Sequence, residues 1–179
     1  MNRNLTICFT SDVHGYFSDM DYATGTPGTT GLSRCASSFP HDGNTLILDG
    51  GDILQGSPFA YWLSREPVEG AKVSAQVMNL AGYHFVTIGN ETLESYLSHL
   101  DARCVSANVE GVSGVERTAV VTLENGLRVG ITGVTTHFVN LWEKPENLVG
   151  IKVHEAFPAA AAALEELKQA GVDVTVCIY

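Results

Sequence analysis

The chain has 179 residues, 45% of them hydrophobic and 17% charged, which is enough for one domain with a real core and excludes the disordered and fibrous classes. Its 10 Lys and Arg against 20 Asp and Glu leave a formal net charge of −10, so the basic face that a nucleic-acid partner needs is missing. An anionic small molecule stays compatible if bound cations supply the positive charge, and clustered Asp residues then become ligands.

In chain order, residues 5–11 (LTICFTS) read as a strand that ends in Asp12-Val13-His14-Gly15. Residues 32–39 predict a short helix. Residues 45–49 (TLILD) are continuously apolar up to the Asp, as in a strand buried on both faces, and run into Gly50-Gly51-Asp52. Residues 72–80 predict a helix with Val73, Val77 and Leu80 on one face and Gly82 as its stop. Residues 85–88 form a strand that ends in Gly89-Asn90, and 92–100 a helix with Leu93, Tyr96, Leu97 and Leu100 on one face. Residues 105–109 read as a short strand. Residues 118–123 and 127–132 flank Glu124-Asn125-Gly126, a strong hairpin signal. An Ala-rich helix over 156–170 has Pro158 in its first turn, and 174–179 form a last strand. Strands alternating with helices give an α/β class, and the hairpin adds an antiparallel part.

Cys8, Cys35, Cys104 and Cys177 are far apart, form no CxxC pair, and read as small buried hydrophobes in a reducing compartment. No transmembrane run is present, and the apolar stretch at 5–10 is too short for a signal peptide. A cytoplasmic location with no membrane partner is expected, the alternative being export with the leader removed.

Three strands end alike, in an apolar run followed by Asp, His or Asn beside Gly. Sites in α/β sheets form where loops leave the carboxyl ends of the strands. If these strands are neighbours, Asp12, His14, Asp52 and Asn90 converge, with Val13 turned to the core. Carboxylate oxygen, imidazole nitrogen and amide oxygen together suit Mn, Zn or Fe. Each piece alone has a plainer reading: Asp12 as a turn or cap residue, His14 as a surface histidine, Gly89-Asn90 as a turn.

Asp12-Val13-His14-Gly15, Gly51-Asp52 with Gln55-Gly56, and Gly89-Asn90 resemble the first blocks of the calcineurin-like metallophosphoesterases. Gln55-Gly56-Ser57-Pro58 and Asp21-Tyr22-Ala23-Thr24-Gly25, supported by Met78-Asn79-Leu80-Ala81-Gly82-Tyr83 and Ser106-Ala107-Asn108-Val109, make the finer match to the 5′-nucleotidase / UDP-sugar hydrolase / 2′,3′-cyclic phosphodiesterase branch. The resemblance implies an αββα sandwich with mixed sheets, C-terminally truncated, in which 1–179 form a partial N-terminal metallophosphoesterase domain without the nucleotide-binding domain. It also implies two divalent metal ions, with Asp12 and His14 on the first, Asp52 bridging both and Asn90 on the second. The implied reaction is metal-dependent hydrolysis of phosphoric esters, nucleotides above all, by a two-metal-activated water.

The chain departs from that pattern in two places. The family follows Gly-Asn with a His that serves the leaving group, whereas here Asn90 meets Glu91-Thr92-Leu93, so no catalytic residue is assigned. The family's later metal-binding histidines also have no counterpart, and His41, His84, His99, His137 and His154 are expected in structural or surface roles. An enzyme is therefore expected of the longer form, and weak metal binding with little turnover of these 179 residues alone. A non-catalytic remnant or scaffold is the alternative. An aspartyl-nucleophile phosphatase needs Asp-x-Asp, which Asp12-Val13-His14 does not supply. An uncovered strand at 174–179 also invites self-association.

Overall fold

The computed structural model describes residues 3–88 and 93–179. Five parallel strands make one sheet: β1 (Thr6–Thr10), β2 (Thr45–Asp49), β3 (Phe85–Val86), β4 (Arg103–Val105) and β6 (Val115–Glu116), in the order β1-β2-β3-β4-β6. A second sheet has the order β10-β8-β7, from β10 (Val174–Ile178), β8 (Arg128–Gly133) and β7 (Ala119–Thr122). β10 runs parallel to β8, and β7 antiparallel to it. β5 (Val109–Glu110) and β9 (Lys152–Val153) form a separate antiparallel pair.

The period-2 alternation of strands sorts the apolar residues into two cores. Ile47, Val86 and Cys104 turn to a helical layer built from α1 (Leu32–Ala36), α2 (Pro58–Leu63), α3 (Pro67–Ala81) and α4 (Leu93–Leu97). Leu46, Leu48, Phe85 and Val105 turn the other way and meet Ala119, Val129, Ile131 and Ile178 of the second sheet. α6 (Ala156–Gln169) covers the outer face of that sheet, with Leu167 packed where a side chain at Gly130 would stand. The layers are thus helix, sheet, sheet, helix, with both parallel and antiparallel pairing, as the family resemblance implied.

Three sequence expectations need correction. α3 does not bury Leu80, which is 88% exposed; its inner stripe is Gly70, Ala71, Ser74, Ala75, Met78 and Ala81. Small residues win because the helix lies so close to α2 that a Cβ at Gly70 would stand 2.3 Å from the Leu63 carbonyl oxygen. The strand expected at 105–109 is two strands in different sheets. Asn108 between them is fully buried; it donates to the carbonyls of Thr135 (2.7 Å) and His154 (2.9 Å) and accepts from the Thr135 N–H (3.0 Å). Those bonds bind the segment to the second layer instead of to a neighbouring strand. Of the cysteines, Cys104 is buried and Cys8 half-buried, but Cys35 and Cys177 are exposed, and all four are free thiols.

Some elements went unread in the sequence, among them α2, α5 (Val139–Trp142), β6 and β9. α2 carries the usual start signal, Ser57 capping the Ala60 N–H at 2.9 Å with Pro58 in the first turn. The αL glycine cap at Gly82 (φ 79°) and the hairpin at 124–126 are as expected.

Candidate functional site

β1, β2 and β3 are neighbours in register, Thr10 level with Asp49 and Asp49 level with Val86. Their carboxyl ends therefore open at one height. Beyond the strands the two leading loops stay bonded to each other: Gly50 N–H donates to Thr10 O (2.8 Å), Asp12 N–H to Gly51 O (3.0 Å) and His14 N–H to Asp52 O (3.1 Å).

This crossing of loops is achieved with a strained backbone. Asp12 (φ 54°), His14 (φ 51°) and Asp52 (φ 60°) are the non-glycine residues with positive φ among the described residues. A left-handed conformation costs an L residue with a Cβ roughly 1–2 kcal/mol, and such residues persist only where the surroundings hold them. The surroundings here are tight. A Cβ at Gly56 (φ 124°) would stand 2.7 Å from the His14 Cβ, and one at Gly15 would collide with Ala60 and Ser57 at the start of α2.

The strain brings three side chains together. Asp12, His14 and Asp52 each offer a ligand atom within 4.8 Å of the others. His14 Nδ1 lies 2.6 Å from the Gln55 carbonyl oxygen, which can only accept, so Nδ1 carries the proton and Nε2 presents its lone pair. Ser11 Oγ donates to Asp12. The Asp52 carboxyl is pushed up, first by burial and further by Asp12, while His14 opposes the shift. Among the described residues no Lys or Arg forms an ion pair with Asp12 or Asp52. Two carboxylates and an imidazole lone pair, all converging and short of positive charge, make a donor set that fits a divalent cation. Asn90, the fourth residue expected from the sequence, lies outside the described residues.

Behind this cluster stands a residue that sequence reasoning passed over as the end of a strand. Asp49 is 0% exposed. One of its oxygens accepts from Thr10 Oγ1 and the other from the Gly51 N–H at 2.8 Å. Thr10 Oγ1 also lies 2.5 Å from the Tyr83 hydroxyl, which donates to it since the Thr10 proton goes to Asp49. Burial is the first cause that pushes the Asp49 carboxyl up to about 6, and also raises the Tyr83 hydroxyl above its ordinary range. The chain Tyr83–Thr10–Asp49–Gly51 ties the two site loops from below. The available signal was an Asp closing an otherwise apolar strand.

The other histidines stand elsewhere. His84 Nδ1 accepts from the Ile47 N–H at 3.0 Å, with its pKa lowered by burial and then by His41. His99 Nδ1 bonds the Ser95 carbonyl, His137 faces Glu155 and His154 faces Glu110. A cavity of about 250 Å³ opens beside the acidic cluster, lined by Asp12 and Asp52 together with Ile88, Thr135, Trp142 and Tyr179.

A search against protein-family models finds no match. Among curated proteins, the chain is 28% identical over 205 residues to the trifunctional nucleotide phosphoesterase protein YfkN of Bacillus subtilis, covering 98% of this chain and 14% of that one. It is 26% identical to a 2′,3′-cyclic-nucleotide 2′-phosphodiesterase/3′-nucleotidase of Haemophilus influenzae, covering 98% and 31%. Among solved structures, the calcineurin-like phosphoesterase YfkN of B. subtilis superposes with a TM-score of 0.78 at 27% identity, covering 97% of this chain and 61% of that one. A Staphylococcus aureus protein provisionally assigned as a 5′-nucleotidase gives 0.81 at 26% identity, covering 97% and 37%. The chain thus spans a third or less of these curated relatives. The YfkN alignment runs over 205 positions while 98% of 179 residues is about 175, so the relative carries some 30 positions without a counterpart here.

Proposed function

Because this chain belongs with the calcineurin-like metallophosphoesterases of the nucleotide-hydrolysing branch, we propose that it carries the metal-binding part of an enzyme that hydrolyses phosphoric esters of nucleotides. Asp12, His14 and Asp52 would hold divalent cations, two of them in our reading, with Asn90 as a further ligand. Mn, Zn and Fe all suit such donors. Bound there, cations would supply the positive charge that polarises a phosphate ester and acidifies water. The protein's own share is to orient the donors: Gln55 fixes the His14 tautomer, and the crossed loops aim both carboxylates at one point.

The observation that carries this reading is the coincidence of strain and chemistry. The three non-glycine residues forced into the left-handed region are the same three whose ligand atoms converge. Charge supports the same reading. At a net charge of −10, with two acidic side chains lining the cavity, a phosphate is repelled unless cations stand between.

The substrate class in this proposal is a nucleotide or cyclic nucleotide, after the nucleotide phosphoesters in the relatives' names. The exposed free thiols Cys35 and Cys177 favour a reducing compartment. Among the described residues no helix is long and apolar enough to cross a membrane. The test is titration calorimetry with Mn²⁺ alongside hydrolysis of bis-p-nitrophenyl phosphate, on the chain and on Asp52→Asn. Metal uptake that the substitution removes is expected. No uptake even by a longer form of the protein would leave a non-catalytic scaffold as the better description.

A further inference from the structure

Among the described residues β1 is the open edge of the first sheet, and the second sheet does not reach over it. In the parallel register Ile7 lies level with Leu46 and Phe9 with Leu48, so all four side chains turn to the same face. Leu46 and Leu48 are buried there with Val129, Ile131 and Ile178, whereas Ile7 is 44% and Phe9 50% exposed. The edge strand of the second sheet, β10, therefore stops short of β1 and leaves an apolar strip beside an open row of backbone groups.

That edge is unguarded. Edge strands are normally blunted by charge, proline or a bulge. Residues 4–11 (NLTICFTS) contain no charged residue and no proline. The Thr6 N–H donates to Asn44 O (3.1 Å) and Thr10 O accepts from the Gly50 N–H (2.8 Å), so Thr6, Cys8 and Thr10 turn their backbone groups to β2. Those of Ile7 and Phe9 point outward by alternation. Antiparallel pairing with a second copy that aligns all five residues of Thr6–Thr10 sets Ile7 against Phe9 of the second copy and Phe9 against its Ile7. Each of these pairs exchanges two N–H···O=C bonds, and the two Cys8 residues meet on the two-fold axis.

Charge favours a second copy as the occupant. Arg3 precedes the strand and Asp12 follows it, with side chains 41% and 63% exposed. Antiparallel pairing brings the basic end of each copy beside the acidic end of the other, which offsets the repulsion between two chains of net charge −10. The edge at β10 offers no such fit, because a folded copy paired there would bring its own β1 into the space this β1 fills. We propose that the protein forms a two-fold homodimer through β1, with Ile7 packed on Phe9 of the second copy and the two Cys8 residues face to face.

Cys8 is a half-buried free thiol and reports the pairing. Partners at a non-hydrogen-bonded antiparallel position stand about 4.5 Å apart between Cα atoms, within the span of a disulfide. The chain in chelator is treated with diamide, which takes one hydrogen from each of two thiols and becomes the hydrazine, and the products are digested and mapped by mass spectrometry. Sedimentation velocity over a concentration series measures the association itself. The expected result is a monomer–dimer equilibrium and a cross-link from Cys8 to Cys8, kept in Cys35→Ser and Cys177→Ser and lost in Cys8→Ser. Ile7→Lys should weaken the dimer by about 2- to 30-fold, since the lost pair counts twice across the axis, with circular dichroism unchanged. A chain that stays monomeric throughout overturns the proposal. So does a dimer cross-linked through Cys35 or Cys177 instead, or one that a folded Ile7→Lys leaves as tight as before. If Ile7→Lys does not fold, the identity of the cross-linked cysteine in the parent decides.

Discussion

Replacing Asp49 by Asn separates the structural and electrostatic roles of the residue beneath the site loops. Asn keeps the shape, accepts from Gly51 and donates to Thr10, which can turn its proton to Tyr83. What disappears is the titration. The folded protein holds the Asp49 proton up to about pH 6, whereas the unfolded chain releases it near 3.8. Between those values the folded state binds more protons, so stability falls as pH rises through the window. The contribution is fully present below 3.8 and lost above 6. A displacement from 3.8 to about 6 corresponds to about 3 kcal/mol at roughly 1.4 kcal/mol per unit. Urea denaturation of both proteins in chelator, at steps from pH 4 to pH 7, gives the assay. The stability of Asp49→Asn relative to the parent should improve by about that amount, on the order of 3 kcal/mol, across the series, since other groups cancel in the difference. Curves that stay parallel from pH 4 to 7 would refute the claim that burial governs this carboxyl. The same substitution should weaken Mn²⁺ binding by about 10- to 100-fold, since the loops lose a charged anchor.

Gly56→Ala drives a Cβ into His14 at a φ of 124°, so it should destabilise the chain by roughly 2 kcal/mol or more and abolish calorimetric Mn²⁺ uptake; retained uptake would show that His14 is not held from that side. β1 and β10 are edge strands of their sheets among the described residues, and Ile7 and Phe9 on β1 are exposed. Concentration-dependent association is the expected result in light scattering. A monomer at high concentration would count against it.

The sequence made the three leading strands of the first sheet legible because they are punctuated, whereas β4 was misplaced and β6 missed. Each leading strand is an apolar run stopped by a polar residue beside glycine, and alternation within Thr45–Asp49 sorts Leu46, Ile47 and Leu48 between two cores. Neighbouring order β1-β2-β3 then follows the chain, and the strand tips had to lie together. What was not legible depends on distance of approach. The α3 stripe of Gly70, Ala71, Ser74 and Ala75 has little apolar weight, and its value comes from close packing, as where Gly70 meets the Leu63 carbonyl. Asn108 looked like part of a strand because its partners, Thr135 and His154, lie 27 and 46 residues away. Asp49 looked like punctuation because the bonds that keep it buried come from Thr10 and the tyrosine beyond.

The strain at Asp12, His14 and Asp52 has a thermodynamic consequence that can be measured without turnover. Without cations, the site combines three left-handed residues with two carboxylates, one of them held up by burial and by the other's charge. A cation bound only by the folded chain shifts unfolding by mass action, by about 2.7 kcal/mol when present at a hundred times its Kd. For a domain of this length each kcal/mol moves the midpoint by about 2–4 °C, so saturating Mn²⁺ should raise it by roughly 5–10 °C over chelator. Asp52→Asn removes a like charge from the pair, so in chelator the variant should unfold at or above the parent's midpoint, and Mn²⁺ should add nothing to it. An equal rise in both proteins would place the cation elsewhere. No rise in the parent would mean that the strained loops are held for some purpose other than binding a divalent ion.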